Sequence, residues 1–317
     1  MARGATVTAT GTRTAAPALA APAPTQRGWA HASWLRFRQH RAALLGLLLL
    51  GVIVTAVLLG ALALPANAAY FTDTSALKQA PSLRHPLGTD EVGRDIFARL
   101  LVAGRVSLAV GLLVSVLGVL IGLLAGTVAG FFGGWLDEVI MRFADALLAI
   151  PWFFSLIVLA AVLGPGLWTT IIAITTLSWM EIARIVRANI LVLRESDFVL
   201  AARALGAPPG RIITRHLVPN TLAPLTVAAT LTVGNAILTE TGLSYLGLGI
   251  QPPTPSWGNM LFNAQAAIFD APWIAAFPGL MILLSVLSIN LIGEGIRDAI
   301  DPRVLVGKRE ARGVERA

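Results

Sequence analysis

The chain has 317 residues, 56% of them hydrophobic and only 13% charged, with a net charge of +7. A mean hydropathy of +0.76 excludes an ordinary soluble domain and points to a polytopic α-helical membrane protein. Cysteine is absent, which excludes disulfides, thiolate metal sites and cysteine nucleophiles, and neither lysine (Lys78, Lys308) stands in a phosphate-binding G-x-x-x-x-G-K-[ST] loop.

Residues 1–34, rich in Ala, Thr and Pro and carrying arginine but no acid, read as a disordered basic tail. The apolar run from Leu44 to Leu64 is too long for a cleaved signal peptide and is expected to be the first membrane helix. In the following loop, Pro86 and Gly88 supply turn chemistry, and Thr89 or Asp90 is expected to cap an amphipathic helix lying in the membrane interface. Asp95 and Arg99 stand at i, i+4, a pairing distance on such a helix.

A second span is expected over Ser107–Gly130, where Gly118, Gly122, Gly126 and Gly130 share one face and suit close helix packing. The uncharged stretch from Ala146 to Met180 is broken by Gly164-Pro165-Gly166 and so reads as two spans. The second of these extends past Met180, with Glu181 and Arg184 spaced for an ion pair and the arginines snorkelling to headgroups. A fifth span is expected over about Leu222–Leu238 and a sixth over Trp273–Ile292.

Between spans four and five lies the longest polar interruption of the second half, Glu195–Asn220. It reads as two short helices about a hinge: Ser196 as N-cap, Gly206 as a left-handed C′ residue, and Pro208 or Pro209 opening the second helix. Pro219 is expected to end that second helix. The loop Thr239–Leu261 is too rich in Gly and Pro for a long helix and too apolar to be freely solvated, so it is expected to fold back on the bundle. Glu240, costly in lipid, must be solvated or paired.

Of the 24 lysines and arginines, only Lys78, Arg84, Arg94, Arg99 and Arg105 fall outside if the N-terminus is inside; this satisfies the positive-inside rule and puts both termini and Glu195–Asn220 in the cytoplasm. His31, His40, His85 and His216 form no H-E-x-x-H, and no serine nucleophile with a histidine lies inside the bundle, so an intramembrane enzyme is disfavoured. No metal site is expected, and the sparse polar groups Thr232, Asn235 and Asn290 are candidates for a translocation path.

The Glu195–Asn220 stretch resembles the coupling-loop signature of bacterial ABC-importer permeases, in which Glu-Ala-Ala is followed, after three intervening residues, by Gly and, after nine more, by Ile-x-Leu-Pro. Ala201, Ala202, Gly206 and Pro219 match, while Leu200, His216 and Val218 replace the signature's Glu, Ile and Leu. Gly88, Thr89, Asp90, Gly93, Arg94, Asp95, Gly104, Arg105, Ser107 and Leu108 fit the block that marks the dipeptide, oligopeptide and nickel permeases, and Thr239–Leu261 supplies a third block. The chain is thus similar to the subunit of that family with an extra N-terminal helix. The resemblance implies an all-α, six-helix type I importer permease of the bacterial cell membrane. It implies an N-terminal family segment over 35–85, a transport domain over 86–297 and a cytoplasmic tail over 298–317. It also implies a second, homologous permease, two ATPase subunits that carry ATP and Mg, and an extracytoplasmic solute-binding protein. No cofactor on this chain and no nucleic acid are expected. The substrate class implied is peptide, with a nickel or other metal chelate as the alternative and a non-transporting scaffold as a distant one. Glu240, Tyr245 and Trp257 are candidates for an outer gate or a binding-protein contact.

Overall fold

A computed structural model describes residues 33–300 apart from Ala66 and Asn263; most of the expected basic tail and everything after Ile300 lie outside the described residues. The helices are α1 (Arg41–Ala63), α2 (Ile96–Phe132), α3 (Gly134–Leu148), α4 (Trp152–Leu163), α5 (Leu167–Leu193), α6 (Asp197–Ala204) and α7 (Pro209–Ile212). A π turn (Ile213–Leu217) joins α7 to α8 (Val218–Tyr245), followed by α9 (Trp257–Met260), α10 (Ala264–Ala267) and α11 (Trp273–Ile300). Among the described residues five helices are long and apolar enough to cross a membrane, and α3 with α4 makes a sixth, bent by 90°. α4 alone has 12 residues, about 18 Å of helix, too short for a hydrocarbon layer of about 30 Å.

The bundle has two ends. One carries the strap between α1 and α2, the turn at Gly164–Gly166 and the segment between α8 and α11; the other carries the α6–α7 hairpin. The tightest seam joins α2 to α5. A Cβ on Gly122 would lie 2.6 Å from Ile182 Cγ2, and one on Gly126 would lie 2.4 Å from the Ala183 carbonyl oxygen. One on Gly130 would meet Ile190 Cβ at 2.9 Å. The glycine face is therefore an intrachain packing face, where absent side chains let two backbones touch. Around this seam Val110, Val114, Ile171, Ile174, Leu177 and Met180 form the central core.

Several local expectations give way to longer-range geometry. Asp95, not Thr89 or Asp90, caps the helix by accepting from Ala98 N at 2.8 Å, and that helix runs unbroken into the second span instead of lying in the interface. Nothing between Ile96 and Phe132 breaks it: the run lacks proline, and its glycines are spent on contacts. Thr89 and Asp90 instead fold the strap. Thr89 receives Gln79 N at 2.8 Å, and Asp90 receives Val92 N and Arg94 N at 3.0 and 2.9 Å. Arg99 turns to Asp90, Nε to Oδ2 3.7 Å, and Asp95 meets His85 at 2.8 Å, so the expected Asp95–Arg99 pair is not formed. In the same strap the Ser75 hydroxyl and backbone N–H hold the Asp73 carboxyl below the ordinary carboxylate range.

The expected Glu181–Arg184 pair is also replaced. Arg184 bonds Asp145, and Arg187 takes Asp137 with two bonds, the second 2.6 Å, because the bent α3 lies beside α5 and offers its acids there. Pro219 does not end its helix. A proline ring clashes with the carbonyl four residues back and has no N–H to give it. The preceding turn is widened, with Val218 N bonding the Ile213 carbonyl, and the helix continues through the proline. The fifth span is accordingly longer than expected, reaching Tyr245.

Candidate functional site

At the hairpin end, α6 closes as the sequence suggests. Gly206 has φ +77°, Gly206 N bonds the Arg203 carbonyl at 2.9 Å, and Ala207 N bonds the Ala202 carbonyl at 3.0 Å. These two bonds are the Schellman pair, available because glycine carries no Cβ. Ser196 holds the extended N-cap backbone, yet its hydroxyl donates back to the Leu193 carbonyl at 2.5 Å instead of capping α6. Val199, Ile212 and Leu217 are buried against Ile182, Val186 and Ile190 of α5, which seats the hairpin on the bundle. Arg203 lies over the Phe131 ring, 5.6 Å from its centroid, and Phe198 lies beside His216.

The outward side of the hairpin is apolar where solvation would favour polar groups. Phe198 and Leu200 are exposed, and Leu205 retains 88% of its accessible surface. Ala201, Gly206 and Pro219 are exposed as well, while Ala202, His216 and Val218 are half-buried. Leu200 and Leu205 lie on α6 and at its end, just before the Gly206 turn, while His216, Val218 and Pro219 lie on the π turn and the start of α8.

The opposite end holds a polar knot. Glu240 is fully buried. It accepts from Ser244 Oγ and Ser256 Oγ at 2.7 Å each and from Ser107 Oγ at 3.3 Å. The three hydroxyls in turn accept backbone N–H groups of the irregular segment: Ile250 N on Ser244 and Trp257 N on Ser107, both at 3.0 Å, and Asn259 N on Ser256 at 3.1 Å. Asn259 returns bonds to Ser256 N and to the Ile250 and Thr254 carbonyls. Trp257 is wholly buried, its indole N–H on the Leu100 carbonyl at 3.0 Å. Of the three residues expected as gate or contact, only Tyr245 is exposed, with its hydroxyl 3.3 Å from Gln265 Oε1. Glu240 is thus paired, but with hydroxyls and not with a cation.

The path candidates lie on α8 and α11. Thr232 is half-buried and bonds the Ala228 carbonyl, whereas Asn235 and Asn290 are exposed. Asn290 faces Gly234 across the two helices, its Oδ1 3.5 Å from where a Cβ would stand. Ser107 fits one of the sequence blocks and Ser244, Ser256 and Asn259 lie within another, but sequence reasoning missed that they meet at Glu240, since chain separations of 133 and 16 residues hide the convergence.

Residues 118–306 match the family described as binding-protein-dependent transport system inner membrane component, and residues 29–81 match the N-terminal transmembrane domain of oligopeptide transport permease C. The chain belongs to this permease family. The permease is 46% identical over 84% of its length to a peptide permease protein of Brucella suis, covering 89% of that protein. It is 44% identical over 86% of its length to the glutathione transport system permease GsiD of Escherichia coli O6, covering 90% of it. A solved inward-facing structure of the MetNI methionine ABC transporter superposes with a TM-score of 0.54 at 21% identity, covering 64% of this chain and 96% of that one. That likeness establishes the type I importer fold. The permease is a multi-pass inner-membrane transport subunit, one component of an ABC importer complex.

Proposed function

We propose that this permease carries di- or oligopeptides into the cytoplasm as one of two related permeases, powered by two ATPase subunits that bind ATP and Mg and supplied by an extracytoplasmic solute-binding protein. The observation that carries the reading is the α6–α7 hairpin: a rigid, seated element whose apolar tip (Leu200, Leu205) is left uncovered at the end of the bundle that the basic residues assign to the cytoplasm. Such a tip is suited to burial in a cleft of a partner protein. ATP closes the partner subunits, the hairpin follows them, and the bundle passes between inward and outward openings. No side chain of the permease performs bond chemistry in this cycle. Asn235 and Asn290 are exposed amides on apolar helices, a placement that water or a peptide backbone would satisfy and lipid would not.

Peptide is favoured over a nickel chelate because the similar permeases are named for peptide and for glutathione, itself a tripeptide. The test is uptake by the whole importer in proteoliposomes containing its binding protein. ATP-dependent accumulation of a radiolabelled di- or tripeptide is expected, with none when the permease is reconstituted alone. Accumulation of nickel chelate without peptide, or ATP-driven uptake by the permease alone, would overturn the proposal.

A further inference from the structure

Residues 246–262, between α8 and α10, are mostly irregular backbone folded onto the ends of apolar helices. Backbone N–H groups in such a place need partners, since lipid supplies none. Ile250, Trp257 and Asn259 find theirs in the hydroxyls of Ser244, Ser107 and Ser256. A serine hydroxyl has one hydrogen and two acceptor positions. All three of these hydrogens are directed at one carboxyl group, that of Glu240, which leaves the oxygen lone pairs for the backbone. Glu240 therefore sets the rotation of three hydroxyls that come from α2, α8 and the irregular segment. The fit around it is close: a Cβ on Gly258 would stand 3.2 Å from Glu240 Oε1 and 2.7 Å from Thr241 Cα. Trp257 completes the joint, its indole bonded to α2 and packed where a Cβ on Gly104 would be 2.9 Å away.

We propose that Glu240 is a positioning residue for transport, a latch that keys the 246–262 segment to α2 and α8 so that segment and helices move as one body between the two openings. The proposal rests on the reading of the chain as an importer permease. Removing the acceptor would orphan three buried hydroxyl hydrogens and free the segment from helices that still respond to ATP. The outer closure would then no longer follow the hairpin end.

The experiment uses the assembled importer, in which the cysteine-free permease allows a single thiol at Ile250→Cys, a position 1% exposed. In the otherwise unaltered chain that thiol is expected to resist a membrane-impermeant maleimide. Glu240→Leu is expected to raise its labelling rate and to lower peptide uptake, each by about tenfold or more, as loss of a buried partner shifts local opening. ATP hydrolysis by the complex should stay within about twofold, whereas a merely misfolded permease would lose both. Glu240→Gln keeps an oxygen for Ser244 and Ser256, which share Oε1, and is expected to restore protection and uptake. Gly258→Ala alters no polar group but crowds the joint, and is expected to raise labelling and lower uptake in the same way, so it carries the test where Glu240→Leu fails to insert. Continued protection in Gly258→Ala, uptake retained in an inserted Glu240→Leu, or uptake and hydrolysis lost together in Gly258→Ala would each overturn the latch. Failure of the unaltered importer to move peptide would instead overturn the proposed function, while the labelling arms would still report on the latch.

Discussion

Gly126→Ala is the sharpest probe of the bundle. The added Cβ would sit 2.4 Å from the Ala183 carbonyl oxygen, 2.8 Å from Val186 Cβ and 3.0 Å from Arg187 N, and two of these three atoms are backbone that no rotamer change can move. A carbon needs about 3.3 Å from a carbonyl oxygen, so α2 and α5 must part by roughly 1 Å. A gap of that size forfeits about a quarter to a half of each contact's dispersion energy, some 0.1–0.2 kcal/mol at full depth. Spread along the seam from Gly118 to Gly130, the loss falls in the range of about 1–3 kcal/mol expected of overpacking. Alanine's better helix propensity returns about 1 kcal/mol. The net effect is a destabilisation of about 0–2 kcal/mol, or about 1–3 kcal/mol relative to glycine-to-alanine changes that gain the same propensity without a clash, read as a lower midpoint in thermal or denaturant unfolding of the detergent-purified permease. Gly51→Ala and Gly279→Ala are the controls, because a Cβ at either meets nothing within 4 Å; both should be neutral or slightly stabilising. If Gly126→Ala proves as stable as these controls, the backbone contact between α2 and α5 is not what the structure shows.

Gly206→Leu tests the hairpin: a Cβ there meets nothing within 4 Å, so its cost is the left-handed backbone alone, about 1–2 kcal/mol. Insertion should be normal and uptake reduced, and Ala202→Cys should cross-link to a cysteine in the ATPase cleft, as a disulfide needs Cα atoms within about 7 Å; unaltered uptake with no cross-link would reduce the hairpin to a connector. Arg187→Leu removes the doubly bonded, half-buried pair to Asp137 and should destabilise by about 2–3 kcal/mol, whereas Arg142→Leu breaks only an exposed helical pair with Glu138 and should change unfolding by under about 0.5 kcal/mol. Equal effects of the two would contradict the anchoring of α3 on α5.

What the sequence makes legible here is whatever depends on neighbours along the chain. Long apolar runs announce the spans, and Ala202, Gly206 and the apolar spacing before them announce a helix closed by a left-handed turn. The glycine face of α2 is visible at period four, though not that α5 is what it meets. Charged pairs were misassigned for one reason: i, i+3 and i, i+4 rules assume that a helix's partner is itself. Asp137 and Asp145 reach Arg187 and Arg184 because α3 lies beside α5, a placement that has no local signature. Pro219 misled by the same route, since a π turn can absorb a proline that a regular helix cannot. Of the Glu240 knot, the sequence shows that the acid needs a partner and that the segment after α8 folds back, but not which residues meet, because a serine 133 residues away carries no mark of its partner.

The widened turn at Ile213–Leu217 has a mechanical consequence. Because Pro219 is accommodated, α7, the π turn and α8 form one rod of 37 residues from Pro209 to Tyr245, about 55 Å long at 1.5 Å per residue. Such a rod joins the hairpin end to the Glu240 end through one continuous helix, with Pro224 inside it. Pivoted near its middle, a tilt of 10° at the α6–α7 tip swings the far end by roughly 5 Å, one helical turn. Glu240 sits on that far arm, so a stroke delivered at the hairpin would be felt where the three hydroxyls are gathered. A flexible connector ending at Pro219 would have dissipated the same stroke within a few residues.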